Sequence, residues 1–172
     1  MEAVLEVLNE LVEAGLVETY AIGGAVAALF YAEPVATHDL DVFVVLSESQ
    51  ANAAVVTMEP QLAFLKSRGG VPQGEHVVLH GIPVQLLPAY NSLVLEAARN
   101  AQPHTVGGTP TRVVRVEYLL AIAVQTGRSK DRVRAQQLLE EAEVDARRLA
   151  SILERFGLAE RWAAWSGGVR GT

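Results

Sequence analysis

The stretch Asp39-Leu40-Asp41-Val42-Phe43-Val44-Val45-Leu46 restricts the fold of this chain more than any other. Its five consecutive apolar residues have strand character, and a strand apolar at every position must be covered on both faces. Such a strand needs a sheet around it and helices over it, so the chain reads as α/β (α+β). The two aspartates at its head stand two residues apart, which puts them on one face, roughly 6–7 Å from each other by the rise per residue. Two carboxylates on an otherwise apolar strand repel each other and are costly to desolvate unless a cation lies between them. Their hard oxygens suit Mg²⁺, which takes one or two carboxylates together with substrate phosphates and water. The bland alternative is a strand end at the sheet rim, with both acids pointing into water.

The rest of the pattern supplies the layers. Val4, Leu5, Leu8, Leu11 and Val12 recur at helical spacing over residues 2–14, and Gly15 stops them. A short strand over 18–22, a Gly23-Gly24 turn and a small-residue helix over 25–31 follow, ended by Glu33-Pro34 because proline disfavours helical geometry before it. Residues 47–66 read as a helix capped by Ser47 or Ser49. Runs 75–80 and 82–87 read as a hairpin about Gly81, and 92–100 as a helix capped by Asn91. Short strands at 105–106 and 111–115 flank Gly107-Gly108. From Val116 onward the pattern is helical. Val116, Leu119, Leu120, Ala123 and Val124 form a stripe ending at Gly127, followed by helices over 131–143 and 145–156 and a short one with Trp162 and Trp165. Those tryptophans read as packing or an interface. The expected arrangement is a small mixed sheet flanked by helices over 1–115, with a helical extension, 116–172, packed on it.

Composition narrows the function. Of 172 residues, 50% are hydrophobic and 20% charged, enough for a real core, with disorder expected at the Gly-rich tail 166–172. There is no cysteine, which excludes disulfides and thiolate metal sites. No apolar run approaches the ~18 residues of a membrane helix, and the acidic start is unlike a signal peptide, so a cytoplasmic location is expected. The net charge of −6 argues against a general nucleic-acid coat. It is also polarised: residues 1–100 hold 12 acids and 3 bases, a balance of −9, while 101–172 hold 8 acids and 11 bases, a balance of +3. That asymmetry fits either solvated helix faces or a basic half that neutralises a polyphosphate or an RNA end.

Taken in order, Ala21-Ile22-Gly23-Gly24, a short helix, and Thr37-His38-Asp39-Leu40-Asp41-Val42-Phe43-Val44 resemble the signature of the nucleotidyltransferase superfamily, the DNA polymerase beta-like fold. The resemblance implies that Gly23 and Gly24 contact the triphosphate of an NTP and that Asp39 and Asp41 are the catalytic pair holding two Mg²⁺ ions. Thr37 matches a threonine of the bacterial branch that includes AbiEii-like toxins, which makes it a nucleotide-binding candidate. Thr126-Gly127-Arg128-Ser129-Lys130-Asp131, followed by Leu138-Leu139, is similar to a Lys-Asp segment of that branch, which makes Lys130, then Arg128, nucleotide-binding candidates. Read alone, the same residues are a helix start with Ser129 as cap and Asp131 complementing the dipole. His38 is a substrate-contact candidate, while His76, His80 and His104 read as surface or packing residues.

Two positions depart from the signature. Val35 stands where an arginine commonly precedes the threonine. Gln85, in Pro83-Val84-Gln85-Leu86-Leu87, stands where a third carboxylate is expected. Glutamine can coordinate through its carbonyl but cannot act as a base. Glu75, assigned to the preceding strand, is the candidate substitute. The expected activity is transfer of an NMP from an NTP to an unknown acceptor: an RNA end, a protein hydroxyl or a small molecule. The toxin resemblance adds a cellular RNA or protein target and an antitoxin partner. The alternatives are a catalytically degenerate nucleotide-binding or regulatory module, and a plain interaction protein with accidental matches.

Overall fold

The structure, a computed structural model, describes residues 1–33, 37, 39–47, 50 and 57–166. Pro34, Val35, His38, Ser49, most of the first half of the helix expected over 47–66, and the tail beyond 166 lie outside the described residues.

The chain opens with α1 (Glu2–Glu13), β1 (Thr19–Ile22), α2 (Gly24–Ala28) and β2 (Leu40–Val45). It continues with α3 (Glu59–Ser67), β3 (Val71–Gln73), β4 (His76–Leu79), β5 (Ile82–Pro88), α4 (Ser92–Arg99), β6 (Gln102–Val106) and β7 (Thr109–Val113). It closes with α5 (Val116–Thr126), α6 (Ser129–Glu141), α7 (Ala146–Arg155) and α8 (Ala159–Ser166). The seven strands form one mixed sheet in the order β3-β4-β5-β2-β1-β7-β6. β2 runs antiparallel to β1 and parallel to β5.

The apolar run heads for the centre, as its composition requires. Leu40, Val42 and Val44 are buried almost completely on one face of β2, and Phe43 and Val45 on the other. α2 packs on β2, and α4 packs on β1 and β2. Four apolar side chains of α4 (Leu93, Val94, Ala97 and Ala98) have no exposure, and its start is fixed by the Asn91 side chain accepting from the Val94 amide at 2.9 Å.

α5 is more deeply placed than its stripe implies. Tyr118 and Ala121, outside the stripe, are also buried, because α2, α4, α6, α7 and α8 all pack against this helix. A helix enclosed on every side is apolar all round. Each fully buried Leu or Val there is worth about 1.5–3 kcal/mol relative to exposure. Glu117, buried with its neighbours, accepts from the Asp145 amide at 3.0 Å and lies 3.5 Å from Arg148, which ties α5 to the start of α7. Gly127, at φ 70°, ends α5 in the left-handed region.

Several boundaries differ from the sequence expectation. β3 was not anticipated: Val71-Pro72-Gln73 is short and wholly exposed, and carries no periodic signal. Glu75 lies in the turn between β3 and β4, outside the strand assigned to it, because Gly74 at φ 62° reverses the chain there. The β4–β5 turn falls on His80 and Gly81, both at positive φ, as a tight two-residue hairpin requires. α6 starts at Ser129, so Arg128 and not Ser129 occupies the cap position, and no side chain caps it. Trp162 and Trp165 are partly buried against the core, with Arg132 stacked 5.2 Å from the Trp165 ring centre.

Candidate active-site cleft

The head of the central strand is open on one face. Asp39, Asp41 and Phe43 line a cleft of about 1060 Å³ between the sheet and the α5–α6 corner. Strand alternation puts these residues on the face opposite Leu40, Val42 and Val44.

The Gly23-Gly24 turn closes directly over Asp41. The Gly23 amide donates to the Asp41 carbonyl at 2.9 Å, which docks the turn on β2. Gly24 sits at φ 57°, and a Cβ there would collide with the Asp41 carboxylate, while one at Gly23 would drive into the Phe43 ring. Both glycines are therefore required by close approach. Gly23 is the N-cap of α2, so the first amides of that helix have no intrahelical acceptor.

Asp41 is largely buried. Burial first, and the neighbouring Asp39 carboxylate second, raise its carboxyl above the usual range. Arg134, Lys130 and Arg128 act in the opposite direction from across the cleft. Thr37 donates its hydroxyl to the Asp39 carbonyl at 3.4 Å. Asp39 is half-exposed, and His76 Nε2 lies 3.7 Å from its Oδ2. That nitrogen is shielded from water and has no hydrogen-bond partner among the described residues.

Gln85 stands beside Asp41 in the parallel β2–β5 register, the position from which a third carboxylate would reach the pair. Its amide donates to Glu75 Oε2 at 3.4 Å, so the exposed Glu75 turn lies against it and lines the same cleft.

The opposite wall is cationic. Arg128, Lys130 and Arg134 come from the α5–α6 corner and α6. Asp131 between them is buried, accepting from Thr126 Oγ1 at 2.7 Å and from Arg128 Nε at 2.6 Å. Tyr90, 57% exposed, stands in the cleft wall after β5.

The fold thus brings Gly24, Thr37, Asp39, Asp41, Glu75, Gln85, Arg128 and Lys130 to one cleft. Gly23 holds the turn behind it. His76, Tyr90, Asp131 and Arg134 are the cleft residues that sequence reasoning missed. For Arg134 a signal existed: it lies four residues after Lys130, hence on the same helix face. His76 gave none, because its place depends on the β3–β4 turn folding back on Asp39.

Among the described residues, no group of three His, Asp or Glu side chains converges as a metal cage. The donor set still fits Mg²⁺, whose usual sites combine one or two carboxylates with substrate phosphates.

No family model matches the chain, and no curated protein matches it. Solved structures do. An antigenic nucleotidyltransferase-like protein from Paracoccidioides brasiliensis superposes with a TM-score of 0.57 at 15% identity, covering 95% of this chain and 89% of the other. The antibiotic-resistance factor ANT(2'')-Ia, in its solution structure, gives a TM-score of 0.52 at 14% identity with 100% of both chains covered. Its crystal structure in complex with adenylyl-2''-tobramycin gives 0.52 at 14%, covering 93% of this chain and 97% of that one. At these identities the likeness is one of fold, and the fold is nucleotidyltransferase-like.

Proposed function

We propose that this chain is a Mg²⁺-dependent nucleotidyltransferase that moves an NMP from an NTP to a hydroxyl acceptor. The observation that carries the reading is the two-walled cleft: paired carboxylates under a glycine turn on one side, and Arg128, Lys130 and Arg134 on the other. A triphosphate with its metal is a ligand that needs both walls.

Asp39 and Asp41 would hold the two expected Mg²⁺ ions, which when bound supply charge neutralisation and acidify the acceptor hydroxyl. The chain's own groups do the rest. Gly23 and Gly24 let the turn pack directly on Phe43 and Asp41, which sets the backbone amides at the α2 start beside the carboxylates, where they can approach the phosphates. The acceptor oxygen bonds to the α-phosphorus while the bond to the bridging oxygen breaks, and pyrophosphate leaves with that electron pair. Lys130, Arg128 and Arg134 stabilise the charge that develops on the pyrophosphate. Gln85 cannot take the hydroxyl proton, and Glu75, held beside it, is the carboxylate offered in its place.

The acceptor is an RNA end, a protein hydroxyl or a small molecule. The adenylyl-2''-tobramycin held by ANT(2'')-Ia is a small-molecule precedent within the fold. A toxin role with an antitoxin partner rests on the sequence resemblance of Thr37 and residues 126–139 alone. The second reading, a nucleotide-binding module without turnover, is favoured by one observation, the amide of Gln85 in register with Asp41.

NTP labelled at the α-phosphate, incubated with Mg²⁺ and pools of RNA, protein and hydroxyl-bearing small molecules, separates the two. Label on one acceptor class is expected, falling about tenfold or more in Glu75→Gln, the variant that removes the substitute carboxylate. Bound but never transferred nucleotide, in wild type and Gln85→Asp alike, would support the module without turnover.

A further inference from the structure

Asp131 is a buried charge that the proposed reaction does not touch. It is 4% exposed, yet it lies at the cleft wall. A carboxylate withdrawn from water is costly unless donors surround it, and removing those donors leaves it uncompensated. Its donors here are specific. The Thr126 hydroxyl, from the last turn of α5, reaches Oδ2 at 2.7 Å, and Arg128 Nε reaches the same oxygen at 2.6 Å. Arg134 Nη1 lies 3.5 Å from Oδ1. The carboxylate therefore bridges α5 and α6 across the Gly127 turn and holds two guanidinium groups, one on each oxygen.

The directions of those bonds matter. Arg128 is tied through Nε, which leaves both of its terminal nitrogens and their four N–H groups for another acceptor. Its side chain is 58% exposed, so without Asp131 it would sample many rotamers. Arg134 uses one terminal nitrogen at the limit of hydrogen-bond distance. Both guanidinium groups act on Asp41 across the cleft, as does Lys130. An acid that only complemented the α6 dipole would need neither the threonine nor the arginine contacts.

We propose that Asp131 is a positioning residue for triphosphate binding, holding Arg128 and Arg134 so that their remaining N–H groups form a polyphosphate clamp opposite Asp39 and Asp41. This rests on the nucleotidyl-transfer reading and assigns that site its phosphate-binding wall.

The test is binding of Mg·ATP and of Mg²⁺ with inorganic tripolyphosphate by calorimetry, for wild type, Asp131→Asn, Arg128→Ala/Arg134→Ala, and the triple variant. Asp131→Asn should weaken both ligands at least about tenfold. In the double-arginine background the same substitution should change affinity less than about twofold, because the residue acts through those arginines. The ¹⁵N cross-peak of Arg128 Nε should shift on tripolyphosphate addition in wild type and stay still in Asp131→Asn. If Asp131→Asn does not fold, Thr126→Val carries the test: it removes one anchor of the carboxylate and keeps every charge, and a severalfold loss is expected. Unchanged affinity in the folded variant, or a loss that adds in full to that of the arginine variant, overturns the positioning role and leaves the transfer reading standing. Wild type that binds neither ligand overturns both.

Discussion

Asp41 is the residue whose energetics run against the fold. Burial and the Asp39 carboxylate raise its carboxyl, so its charged form is less favourable in the folded chain than in the unfolded one. Asp41→Asn keeps the shape and removes the charge. In metal-free buffer at neutral pH it should melt at a higher temperature than wild type, while added Mg²⁺ and NTP should raise the melting temperature of wild type alone. A lower melting temperature for the variant would mean that the carboxylate is satisfied by the protein itself. Much at this scale was legible beforehand. Asp39, Asp41, Gly23 and Gly24 are close in sequence, and their roles follow from local spacing. Asp131 was readable as an acid at a helix start, but its burial was not, because that depends on Thr126 and Arg128 folding over it across a turn. His76 was out of reach for the same reason: its neighbour Asp39 is distant along the chain.

Among elements, α4, α5 and α7 meet at the Glu96 carboxylate. Glu96 on α4 accepts two hydrogen bonds from Arg155 on α7, at 2.6 and 2.7 Å, and one from the Tyr118 hydroxyl on α5 at 2.6 Å. The Arg155 bonds lower the Glu96 carboxyl, with burial opposing and Tyr118 assisting. The same contact, after burial, raises the Tyr118 phenol to about 12. A depressed carboxyl stabilises the fold above its ordinary titration range, and that contribution is lost as pH falls through the depressed value. Glu96→Gln should therefore unfold at lower urea than wild type at pH 7, and the gap should close as pH is taken below the ordinary glutamate range. A gap that persists in acid would assign the loss to packing. The helices and the central strand were visible as periodic or continuous apolar runs. β3 was not, because an exposed three-residue strand has no periodicity and exists through pairing with β4.

Across the whole molecule, the charge polarity of the sequence resolves into two parts. Arg155 and Arg148 pair with Glu96 and Glu117, while Arg112 and Arg115 donate to backbone carbonyls, so these cations serve the fold. Arg128, Lys130 and Arg134 face the acidic wall across the cleft. Among the described residues no helix is long and apolar enough to cross a membrane. The two-walled cleft is tested by calorimetric titration of the four NTPs into wild type and Asp39→Asn/Asp41→Asn, each with Mg²⁺ and with EDTA. NTP binding should require Mg²⁺ and disappear in the double variant while circular dichroism stays unchanged. Binding of equal strength in EDTA, or in the double variant, would contradict it.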